Sequence, residues 1–207
     1  MRKISHIVLA TCFLALVQPN VYAQSVGGGI KIGANIAKVT NEDLKIMPGG
    51  HFGFFMRAGA GNYRFQGEVL LTTGGSNYKE GDDVRISNIT FNLDVPLMFN
   101  YKFVKVLFAE AGMQPSYLIT NYKFGTEGNR IIDEFTVEGL RRVNFAPVLG
   151  FGVDLQKVTI GLRFVYPVTS MYDKETLDDI RRFSEELYKE YKKEKQTQTM
   201  LTFGFKF

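Results

Sequence analysis

Ile89-Thr90-Phe91-Asn92-Leu93-Asp94-Val95-Pro96-Leu97-Met98-Phe99-Asn100-Tyr101 is the stretch that decides the fold. Ile89, Phe91, Leu93, Val95, Leu97, Phe99 and Tyr101 fall at every second position, with Thr90, Asn92, Asp94 and Asn100 between them. Successive side chains of an extended chain point to opposite faces, so the stretch reads as a strand with one apolar and one polar side. Its length suits a tilted strand crossing a bilayer, which needs about 9–11 residues. Pro96 has no N–H for a ladder, so a local bulge is expected there.

The same period of two extends in both directions. It marks residues 29–39, 51–59 and 63–72 upstream, and 106–119, 143–155, 158–166 and 201–207 downstream. With 89–101 this makes eight strands. Three connections are short: Ala60-Gly61-Asn62, residues 102–105, and Gln156-Lys157. The other four, 40–50, 73–88, 120–142 and 167–200, are long. Short turns facing the periplasm and long loops facing outside are the pattern of outer-membrane barrels. The expected fold is therefore all-β, an eight-stranded antiparallel transmembrane β-barrel in the bacterial outer membrane.

Residues 1–23 read as a signal peptide. Arg2 and Lys3 precede a short apolar run, and Val21-Tyr22-Ala23 presents small residues at the spacing of a cleavage site. Residues 24–207 are then one barrel domain. Cys12 is the only cysteine and leaves with the leader, so the mature chain has no disulfide or thiolate chemistry. The net charge of +4 falls further when Arg2 and Lys3 are removed, which does not suit a nucleic-acid binder. No later run of eighteen apolar residues exists to form a membrane helix. The chain can enter a bilayer only as a closed barrel, because lipid cannot satisfy a free sheet edge.

Alternation alone fits a soluble barrel turned inside out equally well; volume decides between them. Several Ile, Leu, Phe and Tyr side chains per strand would overfill the narrow interior of eight strands. The opposite face carries Gly33, Gly53, Gly112, Gly150, Gly152, Gly161 and Gly204, which make room. It also carries Lys31, Arg57, Arg64, Arg163 and Lys206 with Glu68, Asp94, Glu110 and Asp154. Buried ions must be paired, so these nine are expected to form a structural charge network in the lumen. Tyr63, Tyr101 and Phe207 fall at periplasmic strand ends, and Tyr117 and Tyr166 at outer ends. Rings at both levels are expected to form an aromatic belt.

In the last long loop, residues 174–195 pair acids with bases at helical spacing, as in Asp178–Arg182 and Glu185–Lys189. Leu177, Ile180, Ser184, Leu187 and Tyr191 make only a thin stripe, so a solvated helix projecting outward is expected. A docking surface for a partner is the sharper alternative.

The chain resembles the PorT-like outer-membrane β-barrel family of Bacteroidetes. The resemblance rests on Gly29-Ile30-Lys31-Ile32-Gly33-Ala34-Asn35 and on Gln66-Gly67-Glu68-Val69-Leu70-Leu71 with Thr72-Thr73-Gly74-Gly75. It continues through Leu93-Asp94-Val95-Pro96-Leu97, Tyr101, residues 112–118 and Val148-Leu149-Gly150-Phe151-Gly152-Val153. It implies the barrel fold, the outer membrane, and delivery by the barrel-assembly machinery through an aromatic C-terminal strand ending at Phe207. The founding member is linked to type IX protein secretion, so the resemblance also implies secretion proteins as partners. It assigns no task to this chain, and the charged 174–195 segment has no counterpart in it.

Catalytic and metal chemistry find little support. The mature chain has one histidine, His51, with no serine placed to serve it. Clustered ligands, cofactor motifs and a phosphate loop with its following helix are all missing from the sequence. The expected function is a non-enzymatic structural or interaction role through extracellular loops, with outer-membrane lipid and lipopolysaccharide as partners. An accessory role in secretion is the alternative; a diffusion channel ranks last, because a filled lumen leaves no pore.

Overall fold

A computed structural model describes residues 25–39, 47–80, 84–127, 130–135, 140–170, 172–193 and 195–207. The leader expected over 1–23 and most of the first long loop lie outside the described residues. The strands are β1 (Ser25–Val39), β2 (Met47–Ala60), β3 (Tyr63–Glu80), β4 (Val84–Asp94) and β5 (Leu97–Lys102). They continue as β6 (Leu107–Glu127), β7 (Arg130–Phe135), β8 (Val143–Asp154), β9 (Val158–Val165) and β10 (Gln196–Lys206). Two helices, α1 (Lys174–Phe183) and α2 (Glu185–Lys193), stand between β9 and β10.

Eight strands go round the wall, because β4 and β5 are one strand in two pieces and β7 pairs only with the far end of β6. All neighbours are antiparallel, and β10 returns to β1 from Gly29 opposite Lys206 to Val39 opposite Gln196. The eight-stranded wall therefore closes without an edge, and β7 lies outside that ring on the far end of β6. At the short-turn end Gly61 takes φ +60 between β2 and β3, a conformation glycine adopts without strain. Leu155 N–H donates to Val158 O at 2.8 Å, closing the two-residue Gln156-Lys157 turn.

The structure corrects several expected boundaries. Residues 73–80 are ladder rather than loop, pairing Thr73 with Phe91 through to Glu80 with Val84. β6 runs on to Glu127 and meets β7, within a stretch expected to be loop. β10 begins at Gln196, shortening the last loop. The bulge expected at Pro96 is elsewhere. Leu70↔Asp94 and Gly67↔Leu97 keep one register across it, as do Asp94↔Ser116 and Leu97↔Met113 on the other side. The register shifts instead between Phe91 and Asn92. Pro96 is tolerated in line because its carbonyl still accepts Glu68 N–H at 3.0 Å, so only the one donor it lacks is lost.

The alternation resolves into an outer and an inner face. Phe54, Phe65, Val69, Leu97, Leu149 and Phe151 are exposed on the outside, Leu149 at 64%. A continuous apolar girdle of this kind far exceeds the few hundred Å² that a water-soluble monomer shows. The bulky set thus faces lipid, and the inside-out soluble barrel is eliminated. Leu149 lies midway along β8, where an arginine facing lipid costs about 2–4 kcal/mol. Leu149→Arg is expected to lower the folding free energy into phosphatidylcholine vesicles by that amount in a denaturant titration. A neutral result would mean that water, not lipid, surrounds this face.

Candidate functional site: a layered lumen and a basic outer rim

The middle of the lumen is organised by Arg163 of β9, whose side chain is 1% exposed. Its Nη1 and Nη2 donate to Glu68 Oε2 and Oε1 at 2.7 and 2.6 Å. Its Nε and Nη2 donate to Glu110 Oε1 and Oε2 at 2.5 and 3.0 Å. Lys31 Nζ meets Glu68 Oε1 at 2.5 Å, and Gln66 Nε2 donates to the same oxygen. Two cations and two carboxylates from β1, β3, β6 and β9 therefore form a neutral, hydrogen-bonded knot. Glycine makes the space: a Cβ at Gly150 would come within 2.9 Å of Glu110 Oε1, and one at Gly152 within 2.7 Å of the Phe108 ring.

Toward the short turns a second cluster surrounds Asp154. Arg57, Arg64, Lys102 and Lys206 all reach its carboxylate within 2.5 to 3.2 Å. Arg57 also donates Nε–H to Gln66 Oε1 at 2.6 Å and lies over the Phe55 and Phe108 rings. The structure thus gathers Lys31, Glu68, Glu110 and Arg163 in one cluster and Arg57, Arg64, Asp154 and Lys206 in another. It does not bring Asp94 to a cation among the described residues. Asp94 is buried and held by Gln114 Nε2 at 2.9 Å.

Sequence reading missed two groups. Lys102 lies two positions beyond the inward Asn100, so strand parity could have found it. Leu70, Met98, Ala146, Val148, Val165 and Met200 form a buried apolar cluster inside the wall. Their parity is inward as well, so the interior is part apolar rather than wholly polar as expected. Beyond this cluster, at the long-loop end, is a cavity of about 70 Å³ whose lining includes Asp94, Gln114, Asn144, Gln196 and Gln198. His51 is buried, and no described group hydrogen-bonds either ring nitrogen. The described residues contain no group of three potential metal ligands. Of the five belt residues, Tyr63 and Tyr101 pack together at 5.2 Å on β3 and β5, and Phe207 follows β10 at the same end. Tyr117 pairs with Val143 at the start of β8, and Tyr166 follows β9.

The long-loop end carries two helices rather than the single one expected. Ser184 causes the break: its backbone is extended, its N–H closes α1 on Ile180 O at 2.9 Å, and its Oγ accepts Leu187 N–H at 3.4 Å. Asp173 caps α1 by accepting Thr176 N–H at 2.8 Å, which holds its carboxyl below the usual carboxylate range. The bridge Leu140↔Tyr172 ties this loop to the segment before β8. Between the helices and the rim is a cavity of about 880 Å³, whose lining includes Arg141, Tyr188, Lys189, Lys192, Lys193 and Lys195, with Asp178 the one acid among the described residues.

The family model described as outer membrane protein beta-barrel domain matches residues 22–173. The chain belongs to this family. The outer-membrane β-barrel is thus placed in the bacterial outer membrane, its short turns periplasmic and its helical loop extracellular. It is similar in fold to Ail, the attachment invasion locus protein of Yersinia pestis, at 12% identity and TM-score 0.50, over 87% of this chain and 98% of that one. It is likewise similar to Ail in complex with the heparin analogue sucrose octasulfate, at 13% identity and TM-score 0.50, over 88% and 99%. Neisserial surface protein A aligns at 11% identity and TM-score 0.47, over 89% and 98%. No curated protein matches the sequence.

Two outcomes follow from this geometry. Arg163→Met strands Glu110 beside Glu68 in the barrel and is expected to cost about 3–5 kcal/mol in denaturant titration. Adding Glu110→Gln leaves the Lys31–Glu68 pair intact and should recover most of the loss. At the outer rim, a folded-state pKa depressed at Asp173 means that the cap is complete above the unfolded value of about 3.9 and is lost as pH falls through the lower folded value. Helical circular dichroism from the loop should fall over that window. Asp173→Ala should remove the pH dependence and weaken α1 by about 1 kcal/mol.

Proposed function

We propose that this outer-membrane β-barrel is a non-enzymatic interaction protein that presents a basic extracellular groove to the phosphates of lipopolysaccharide. The observation that carries the reading is the rim cavity, whose described lining holds Arg141, Lys189, Lys192, Lys193 and Lys195 beside Asp178. Lys189 is engaged by Glu185 only at 3.7 Å, and Lys192 lies over the Tyr188 ring, where its charge stays available. Each basic side chain near an anionic surface contributes about 1 kcal/mol, so the five together suit the phosphates of the outer leaflet. Ail was crystallised with a sulfated sugar, but at this identity the likeness extends to the fold alone. The support here is the lysines themselves.

The resemblance to PorT-like barrels, carried by segments such as 66–75 and 148–153, supports a second reading as an accessory component of type IX secretion. Delivery by the barrel-assembly machinery and contact with outer-membrane lipid belong to both readings. Capture of lipopolysaccharide by the purified barrel separates them. Lys189→Gln, Lys192→Gln and Lys193→Gln together should weaken capture roughly tenfold to a hundredfold, with little binding left at high salt. Unchanged capture by the triple variant would sink the groove reading. Recovery of secretion proteins by the intact chain but not by one lacking residues 174–195 would favour the accessory role.

A further inference from the structure

Asp154 is the only carboxylate side chain at the periplasmic end of the lumen among the described residues, and four cations converge on it. Arg57 Nη1 and Lys206 Nζ lie 3.2 and 2.6 Å from Oδ1; Arg64 Nη1 and Lys102 Nζ lie 2.5 and 2.7 Å from Oδ2. Thr159 Oγ1 donates to Oδ1 as well, at 2.6 Å. These donors come from β2, β10, β3, β5 and β9, so closure of the barrel gathers them rather than local sequence. A carboxylate offers about four lone-pair sites, and five donors already crowd this one. Its single charge offsets one cation of four. The central knot gives no relief, since Glu68 and Glu110 are balanced by Arg163 and Lys31. The cluster therefore has donors and positive charge to spare in a mostly buried place, where uncompensated charge is costly.

Beside it opens a cavity of about 160 Å³, lined by Val26, Gly27, Phe55, Arg57, Arg64 and Lys206. Among the described residues that line it, three are cationic and none is acidic. A Cβ built at Gly27 would have nothing within 4 Å, so the approach past β1 is open. The volume exceeds several times that of one water, and guanidinium forks match the oxygens of a phosphate.

We propose that the periplasmic mouth is a binding site for a phosphate-class anion, held by Arg64 and Lys206 with Arg57 behind them. A phosphodiester headgroup of an inner-leaflet lipid and soluble inorganic phosphate or pyrophosphate share this chemistry. The site is at the opposite end of the barrel from the lipopolysaccharide groove and does not depend on it.

The test uses the processed full-length barrel in phosphatidylcholine nanodiscs, titrated calorimetrically with sodium phosphate and with pyrophosphate. In a second arm native mass spectrometry follows phosphatidylglycerol retained from mixed nanodiscs. Arg64→Gln with Lys206→Gln should lower binding about tenfold or more in whichever arm shows it. Asp154→Asn removes the internal competitor and should tighten binding. Where that variant does not fold, the Arg64/Lys206 pair at the open rim decides alone. Binding in the first arm identifies a soluble anion, and retention only in the second identifies a lipid; either supports the site. The lysine variants of α2 should leave both arms unchanged. Absence of binding in both arms, or binding indifferent to Arg64→Gln and Lys206→Gln, overturns the proposal.

Discussion

Closure of the sheet between β1 and β10 is the constraint from which the other features follow. In hydrocarbon no water is present to take up an unpaired backbone group, so the last strand must find the first. The Gly29↔Lys206 to Val39↔Gln196 ladder does this over eleven residue pairs. Closing with eight strands fixes a narrow bore, in which every inward side chain competes for space. The prolines show how little the wall yields. Pro96 and Pro115 face each other's strands, yet Glu68 N–H still reaches Pro96 O at 3.0 Å and Val95 N–H reaches Pro115 O at 2.9 Å. Each proline removes a donor without orphaning the neighbour's donor, and the register passes through.

The narrow bore explains the choice of arginine at position 163. One planar guanidinium bonds two carboxylates on strands that do not adjoin, through four of its N–H directions. A lysine has three donors on one atom and could not span both in this geometry. Along the axis the lumen then passes from Asp94, which meets Gln114 and no described cation, through an apolar layer and a neutral knot, to an excess of cations round Asp154. It is a polarised plug rather than a uniform polar filling.

Much of this was legible because the bilayer imposes a period of two. Where lipid is on one side and the lumen on the other, the alternation is clean, as in residues 89–101. Thr73-Gly74-Gly75-Ser76-Asn77 has no bulky apolar side chain to set one face against the other, so no alternation marks it. Residues 73–80 therefore read as loop although they pair through to Glu80. The inward charges were legible by parity, but their partners were not, since which cation meets which acid depends on strand tilt and stagger. Asp94 shows the consequence: it was expected in the charge network and is held by Gln114 instead. The apolar layer escaped notice for a different reason. The volume argument correctly placed the bulky majority outside, but a narrow bore can also be filled by Leu70, Met98 and Met200 where no ion pair is needed.

A wall filled in this way confines recognition to its ends. The knot around Arg163 and the apolar layer near Leu70 occlude the axis in series, and opening a water path would require breaking buried ion pairs and wetting a packed apolar cluster together. The inward charges of the knot are committed to one another, Arg163 to Glu68 and Glu110 and Lys31 to Glu68. What remains free to meet other molecules is the set of side chains that the wall holds but does not need: the helical loop carried on β9 and β10, and the surplus cations at the opposite mouth. The cations at the mouth project from paired strands, so their geometry is maintained without a partner, which lowers the ordering cost when a partner arrives.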